Sequence, residues 1–338
     1  MEANQRPEPL APPASMGGGK SYRLYGLTVQ SPFPLPCPRS RSTQPDVRLT
    51  LAEAAVFAPA RDRLSRRQRR DWFCSRVLDD GRVYIRWSEL FEFLISADGR
   101  QITCRPLKHA NPESFTSYLI GQVLSFSLLA FGREPLHGSA ILINRGAVAL
   151  VGNCGYGKST LAGALLGGGF RVVSDDVLAL ERGKTGWILH PGIPRIKLFP
   201  SIARRLLGPH VAGTRMNPGT SKLILPLKSA RTAGRPVRLR AIYVLSDPGS
   251  SSKASKSVRI EALTGGEAFL AVIRASFNLI DVRRARLQNQ FANAGRVTAD
   301  VPVRRLTYAR SVSMLGKVCD ALLADVKTLD DYAEHSPS

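Results

Sequence analysis

The stretch that most constrains the fold is VGNCGYGKST, residues 151–160. It satisfies the pattern G-x-x-x-x-G-K-[ST], in which a strand leads into a glycine-rich loop and a helix follows. The apolar run Ala147–Val151 precedes the loop, and residues 158–170 have helical spacing that ends at three glycines. Loops of this kind direct backbone N–H groups inwards and bind phosphate. The sequence therefore predicts a nucleotide-binding strand–loop–helix unit.

Each residue type in this loop has a predicted place. Glycine is required where the backbone takes a positive φ or closely approaches phosphate, whereas other side chains are tolerated where they point outwards. We expect Lys158 to reach the β- and γ-phosphates of ATP and the Ser159 hydroxyl to bind Mg²⁺. The predicted nucleotide-binding residues are Gly152, Asn153, Cys154, Gly155, Tyr156, Gly157, Lys158, Ser159 and Thr160.

Two acidic residues follow the next predicted strand. Asp175 and Asp176 come directly after the segment FRVVS. A carboxylate at the end of the strand beside a phosphate loop holds Mg²⁺, and a second one can accept the proton of an incoming hydroxyl. The pair is therefore typical of phosphoryl transfer to an alcohol. The alternative is an acidic turn at the end of a strand, without a chemical role.

Three further polar residues are candidates for the same site. His137 opens a strand that turns at residues 144–146 and returns into the glycine loop, so the hairpin brings His137 close to the loop. Arg195 and Lys197 lie on one face of an extended segment, where they could neutralise phosphoryl charge. A structural histidine and ordinary surface cations are the alternatives. The guanine-reading motif N-K-x-D is absent from the sequence, which disfavours a GTPase.

The segment from His137 to Leu180 resembles the catalytic core of bacterial HPr kinase/phosphorylase. It contains the His-Gly pair, the hairpin, the glycine loop, a short helix and the Asp-Asp pair in the same order. The segments 22–36, 191–200 and 306–322 are similar to HPr-kinase-like proteins found with lasso-peptide precursors, which phosphorylate the C-terminal serine of the precursor. The resemblance covers about residues 21–325, and its specific motifs lie in the central segment.

This resemblance implies a role for each residue of the predicted site. Asp175 would be the general base, and Ser159 and Asp176 would be the Mg²⁺ ligands. Lys158 and the loop amides would hold ATP, with His137 near the transferred phosphoryl group. The implied activity is an ATP- and Mg²⁺-dependent serine kinase whose substrate is a peptide or protein, in particular a ribosomally made peptide precursor.

One residue departs from the family pattern. HPr kinases carry Glu directly after the loop serine, whereas this chain has Thr160. The sequence therefore indicates a relative of HPr kinase rather than that enzyme itself. Two other functions stay open: a kinase of a small hydroxylated metabolite, and a non-enzymatic nucleotide-sensing regulator that binds nucleic acid. The second is disfavoured because the sequence shows no helix-turn-helix, aromatic ribonucleoprotein motif or zinc finger.

The length of 338 residues is sufficient for two domains. Strand-like segments predict a β-rich N-terminal domain at 21–110, and the motifs predict an α/β P-loop kinase domain with a mixed sheet, similar to the C-terminal domain of HPr kinase, at 111–330. Residues 1–20 and 331–338 are predicted to be disordered tails. The arginine-rich segment 61–73 is predicted to be a solvated loop or helix face.

The net charge and the cysteine content limit which partners and which cellular compartment can be expected. A formal net charge of +22 attracts anions, including an acidic substrate peptide. The five cysteines are widely spaced without a C-x-x-C pair, which argues against a zinc site and against disulfides and favours the cytoplasm. Neither a signal peptide nor an apolar stretch long enough to cross a membrane is predicted. A homo-oligomer is compatible with the sequence.

Overall fold

The computed structural model describes residues 19–217, 220–247, 257–277 and 281–335. It divides into two compact units. The first contains Met1–Arg133 with Arg215–Thr220, and the second contains Glu134–Thr214 with Ser221–Ser338. Most of the predicted N-terminal tail falls outside the described residues, although the first strand already begins at Lys20. Of the predicted C-terminal tail, residues 331–335 lie in the last helix, which ends at His335.

The first unit is built on a seven-stranded sheet with the order β1-β2-β3-β7-β6-β5-β4. Buried aromatic and aliphatic side chains dominate its central strands, and β6 is buried at every position. The strands are β1 (Lys20–Leu24), β2 (Leu27–Ser31), β3 (Val47–Leu51), β4 (Phe73–Val77), β5 (Val83–Trp87), β6 (Phe91–Ile95) and β7 (Gln101–Pro106).

The described residues of the first unit form four helices: α1 (Ala54–Asp62), α2 (Arg66–Arg70), α3 (Pro112–Tyr118) and α4 (Leu124–Ala130). The arginine-rich α2 has no buried residue. A single π-helical turn joins α3 to α4. Phe115 of α3 stacks on Phe93 with ring centroids 5.5 Å apart, and it also contacts Phe91. Because of this aromatic packing, residues 112–130 group with the first unit, and the division lies at Arg133 instead of the predicted residue 110.

The second unit contains a mixed seven-stranded sheet with the order β11-β10-β8-β9-β15-β17-β16. The predicted hairpin is confirmed: β8 and β9 pair antiparallel, and Asn144 and Arg145 form the turn with φ values of 45° and 67°. The strands are β8 (Glu134–Ile143), β9 (Gly146–Val151), β10 (Arg171–Gly183), β11 (Gly186–His190), β15 (Val237–Leu245), β16 (Arg259–Leu263) and β17 (Val303–Thr307).

Strand β15 runs parallel to β9 on one side and to β17 on the other. The carboxyl ends of β9, β15 and β17 therefore lie at one edge of the sheet, where α/β proteins commonly bind ligands. Three shorter strands lie outside this sheet: β12 (Arg195–Leu198), β13 (Thr214–Asn217) and β14 (Thr220–Pro226). Strand β12 pairs antiparallel with β14.

Helices cover both faces of the second sheet. One apolar cluster includes side chains of α5, α6 and α9, and another includes side chains of α7 and α8. Among the described residues, none of the helices has the length and apolar character that crossing a membrane requires. The helices are α5 (Lys158–Gly167), α6 (Pro200–Leu207), α7 (Gly265–Arg274), α8 (Arg284–Asp300) and α9 (Leu315–His335).

Candidate functional site

The glycine loop connects β9 to α5. Gly152, Gly155 and Gly157 have φ values of 140°, 83° and 87°, a region that is strained for residues with a side chain. Gly157 is the N-cap residue of α5. The first N–H groups of a helix have no partner within the helix, and they attract anions. The three glycines thus allow the tight turn that brings the strand end and the helix N-terminus to one loop.

Lys158 is enclosed by the loop that it follows. Its Nζ donates hydrogen bonds to the carbonyl oxygens of Gly152 at 2.8 Å and Asn153 at 3.0 Å. The side chain is buried, and this burial lowers the pKa of Lys158, although the negative charges of Asp175 and Asp176 act in the opposite direction. A buried cation therefore lies at the mouth of the loop. The loop residues Cys154 and Gly155 are exposed, and Thr160 in α5 is half-buried.

The carboxylate of Asp175 links three elements of the site. Its Oδ1 accepts hydrogen bonds from the hydroxyl of Ser159 at 3.0 Å and from that of Ser139 at 2.6 Å. Its Oδ2 accepts one from the backbone N–H of Lys197 at 2.9 Å. The carboxylate is therefore held between α5, β8 and β12. Sequence reasoning missed Ser139, which lies in the H-G-S segment but belongs to no pattern that predicts this contact.

Asp176 lies in a different environment from that of its neighbour. Its Oδ2 accepts a hydrogen bond from Lys197 Nζ at 2.8 Å, and its Oδ1 lies 3.7 Å from Nδ1 of His137. Burial would raise the pKa of Asp176, but the positive charge of Lys197 and its hydrogen bond outweigh burial and hold that pKa well below its usual range. Its side chain is 27% exposed. Asp176 is thus an ionised carboxylate accessible to a small group.

His137 is hydrogen-bonded to the backbone beside this carboxylate. Its Nδ1 lies 3.1 Å from the carbonyl oxygen of Asp176, and because a carbonyl only accepts, Nδ1 carries the proton in this bond. Burial lowers the pKa of His137, despite the nearby negative charge of Asp176. The neutral imidazole therefore has its lone pair on Nε2.

The prediction that the two aspartates end a strand beside the loop strand was wrong. Strand β10 continues to Gly183, and β8 lies between β10 and β9. The apolar residues after Asp176 extend the antiparallel pairing with β8, and the register shifts between Val172 and Ser174. A regular strand sends adjacent side chains to opposite faces. The φ of 85° at Asp176 breaks that alternation, which is why both carboxylates contact Lys197.

The two candidate cations of β12 are buried residues rather than surface charges. Arg195 and Lys197 are 6% and 9% exposed. Lys197 contacts both aspartates, and the charge of Arg195 also lowers the pKa of Asp176. A further cation, which sequence reasoning missed, is Lys222 of β14, whose charge lowers the pKa of Lys158. No local pattern marks Lys222, because its position depends on the pairing of β14 with β12.

The residues present fit a magnesium ion. Mg²⁺ is usually bound by one or two carboxylates together with water and phosphate oxygens. The Ser159 hydroxyl and the Asp175 carboxylate lie 3.0 Å apart beside the glycine loop and supply oxygen donors of this kind. The resemblance to HPr kinase implied Ser159 and Asp176 as the ligands instead. Within the described part of the chain, no group of three or more His, Cys, Asp and Glu residues is arranged to hold a metal ion by itself.

The likenesses that comparisons with known proteins give are to solved structures. No protein-family model matches the chain, and no curated protein matches it. Among solved structures, the HPr(Ser) kinase/phosphatase from Coxiella burnetii is similar over 58% of this chain and 98% of its own. The identity is 14% and the TM-score is 0.34. At this level of similarity, the chemistry of the site has to be inferred from its own side chains.

Proposed function

We propose that this protein is an ATP- and Mg²⁺-dependent kinase that transfers the γ-phosphoryl group of ATP to a serine hydroxyl of a peptide or protein. The observation that carries this proposal is the hydrogen bond between Ser159 and Asp175 beside the glycine loop, with the ionised Asp176 next to it. A phosphate loop, a hydroxyl and a carboxylate are the parts that hold Mg²⁺–ATP. A second accessible carboxylate suits transfer to an alcohol, because it can accept the hydroxyl proton.

The loop residues would bind the phosphates of ATP. Backbone N–H groups between Gly152 and Thr160 donate to the phosphate oxygens, as at other helix N-termini that follow glycine-rich loops. Lys158 exchanges its hydrogen bonds to the carbonyls of Gly152 and Asn153 for bonds to the β- and γ-phosphates. The low exposure of Lys158 strengthens this attraction because little water screens the charge.

The contacts favour an exchange of the roles that the family resemblance implied. Asp175 lies beside Ser159, so these two residues would hold Mg²⁺. Asp176 is more accessible and lies near His137, so it would orient the acceptor hydroxyl and take its proton. Bound Mg²⁺ would neutralise negative charge on the phosphate oxygens. Lys197 keeps Asp176 ionised, and it adds positive charge beside the transferred group.

The class of acceptor is inferred from two features of the chain. The segments outside the core resemble kinases of ribosomally made peptide precursors, and the net charge of +22 favours an acidic peptide. We therefore propose a peptide precursor with an acceptor serine as the substrate. A small hydroxylated metabolite is the competing acceptor, and the experiment below separates the two.

The test is a phosphorylation assay with Mg²⁺–ATP, read by mass spectrometry. The acceptors are an acidic serine peptide encoded by a short reading frame beside the gene, the same peptide with serine replaced by alanine, free serine, and a panel of sugars. The expected result is a mass gain of one phosphate on the serine peptide alone. Modification of serine or a sugar instead would identify a metabolite kinase. Absence of any transfer or ATP binding would overturn the proposal.

The two aspartates are separated by their amide variants. Asp176→Asn is expected to retain Mg²⁺-dependent ATP binding while transfer falls about 10²-fold or more. Asp175→Asn is expected to weaken Mg²⁺-dependent ATP binding as well. Asp320→Asn, an exposed residue of α9, is the matched control. The opposite pattern, with binding lost in Asp176→Asn and retained in Asp175→Asn, would restore the roles that the resemblance implied.

A further inference from the structure

Three side chains at the carboxyl ends of parallel strands lie beside the glycine loop. Tyr156 belongs to the loop after β9, Asp247 follows β15, and Arg310 follows β17. Parallel register places these three strand ends at the same edge of the sheet. The phosphate-binding and carboxylate chemistry described above does not use the side chains of these three residues.

The guanidinium of Arg310 is held in a defined plane. Its centre lies 4.6 Å from the ring centroid of Tyr308 and 5.9 Å from that of Tyr156. Its Nη2 donates a hydrogen bond to the carbonyl oxygen of Ser246 at 2.6 Å, and its Nη1 donates one to the Tyr308 hydroxyl at 3.3 Å. Both of these acceptors are neutral. Since Tyr308 is buried and Arg310 is half-buried, the guanidinium is a fixed flat group on a side chain that remains partly exposed.

This guanidinium lies directly against the loop backbone. A Cβ atom added to Gly157 would lie only 2.8 Å from Nη1 of Arg310. Gly157 has a positive φ and precedes Lys158, whose ammonium group lies at the mouth of the loop. The planar cation is therefore next to the phosphate-binding backbone, at the edge of the sheet where β9, β15 and β17 end.

Tyr156 is fixed at its hydroxyl end. The hydroxyl donates to Oδ2 of Asp247 at 3.1 Å and accepts a hydrogen bond from Nδ2 of Asn153 at 3.3 Å. The ring is half-buried, so one part of it remains available for contact. An aromatic ring and a stacked guanidinium form the kind of surface on which nucleic-acid bases stack.

We propose that Tyr156 and Arg310 form the binding site for the nucleobase of ATP. The base stacks against the guanidinium and the phenol ring, while Asp247 and Ser246 hold these two side chains in place. This inference rests on the proposed function, since it assumes that the glycine loop takes the phosphates of the same nucleotide. It joins Tyr156 of the loop motif to Arg310, which lies at a strand end that is distant in sequence from that motif.

The test compares two ligands that share phosphates and differ in the base. Mg²⁺–ATP and inorganic tripolyphosphate with Mg²⁺ are titrated into the full chain by isothermal calorimetry. Arg310→Lys keeps the charge but removes the plane, and Tyr156→Ala removes the ring. Each is expected to weaken ATP binding by about 5- to 100-fold, the range found when one base-stacking side chain is removed. The affinity for tripolyphosphate is expected to stay within about twofold, because the phosphate loop is unchanged.

The matched control is Arg305→Lys, an exposed arginine of β17 that pairs with Glu267. It should bind both ligands like the unmodified protein, and thermal unfolding should show that all variants are folded. Equal losses for ATP and tripolyphosphate would overturn the base-site assignment and leave the kinase proposal standing. Unchanged ATP affinity in both variants would also overturn it. Failure of the unmodified protein to bind either ligand would overturn the proposed function, and the base site with it.

Discussion

The two units each contain a buried carboxylate with a hydroxyl and cations around it, yet the two carboxylates differ in what remains accessible. In the first unit, Glu92 accepts a hydrogen bond from the Tyr84 hydroxyl at 2.6 Å and pairs with Arg105 at 2.5 Å and Arg61 at 3.5 Å. It is 1% exposed. Burial and the neighbouring Glu92 raise the pKa of Tyr84, which keeps the phenol a hydrogen-bond donor. This network is closed, and it fastens β5, β6 and β7 together.

In the second unit, the pair Asp175–Asp176 has similar partners but is open on one side. Asp176 retains an accessible carboxylate and a strained backbone with a φ of 85°. Strain of this kind persists where the surrounding structure enforces it, and it is concentrated at functional sites. A buried ion pair therefore does not mark a reactive site by itself. Access for a small group and backbone strain distinguish the second network from the first.

The largest expected effect separates activity from stability at Lys158. Replacing this buried cation by methionine should lower phosphoryl transfer about 10²-fold or more, because the charge on the β- and γ-phosphates loses its partner. The melting temperature should change little, since removal of a desolvated ammonium offsets the loss of its two hydrogen bonds. The measurements are the mass-spectrometric transfer assay and thermal unfolding.

Lys184→Met, at an exposed position between β10 and β11, is the control for Lys158→Met and should leave transfer unchanged. If Lys158→Met unfolded the protein as readily as a core substitution does, Lys158 would belong with Glu92 as a structural charge. The contrast between the two units would then fail.

The next largest effect is expected at Glu92, where stability should fall while ATP binding is retained. Glu92→Gln removes the charge that Arg105 and Arg61 share, so the free energy of unfolding should fall by about 2–3 kcal/mol, with ATP binding intact. Urea unfolding of the purified protein measures the first quantity, and calorimetry measures the second. Glu89→Gln, which is exposed, should change the unfolding free energy by less than about 0.5 kcal/mol. A selective loss of ATP binding in Glu92→Gln would contradict the structural role.

A smaller effect tests the loop itself through two glycines. Gly155 and Gly157 both have a positive φ, so alanine strains the backbone by about 1–2 kcal/mol at either position. Only at Gly157 does the added methyl group meet another side chain, that of Arg310. ATP affinity should therefore fall further in Gly157→Ala than in Gly155→Ala, by about tenfold, which corresponds to 1.4 kcal/mol. Equal losses in the two variants would show that the contact with Arg310 has no energetic consequence.

The smallest effect concerns acidity. Burial lowers the pKa of His137, so the folded protein binds this proton less readily than the unfolded chain does. Stability linked to His137 is therefore fully present above the unfolded pKa, near 6.5, and is lost as the pH falls from there towards the folded pKa. The melting temperature should drop as the pH falls below about 6.5, and the drop should be smaller in His137→Gln.

His109→Gln is the control for the acidity effect, because the His109 ring is mostly exposed. It should reproduce the unmodified profile over the same pH range. Identical slopes for His137→Gln and the unmodified protein would show that His137 does not contribute to the acid sensitivity. Asp176, whose pKa is lowered, contributes only at much lower pH.

Local signals in the sequence predicted the parts of the site that depend on neighbouring residues. The apolar runs around the turn at Asn144 and Arg145 predicted the hairpin, and the three glycines at 167–169 predicted the end of α5. These features follow from backbone preferences of a few consecutive residues. The pattern of the loop also placed Lys158 at the first position of the helix.

The rest depended on pairing between distant segments. The hydrogen bond from Ser159 to Asp175 requires the register of β10 on β8, together with the irregularity before Ser174. Neither the register nor the irregularity can be read from the spacing of residue types within one segment. Lys222 and Arg310 reach the site because β14 pairs with β12 and β17 with β15. In the sequence alone, Lys222 and Arg310 are two cations among the many of a very basic chain.

The parallel pairing of β9 with β15 and of β15 with β17 has a consequence for the order of events during synthesis. Tyr156 and Asp247 are 91 residues apart, and Arg310 comes later still. When the glycine loop has just been synthesised, strands β15 and β17 have not yet been made. Pairings between such distant segments form slowly. The loop stays without its neighbours until the last strand leaves the ribosome. Nucleotide that binds only the finished sheet would then act as a ligand that secures the completed fold.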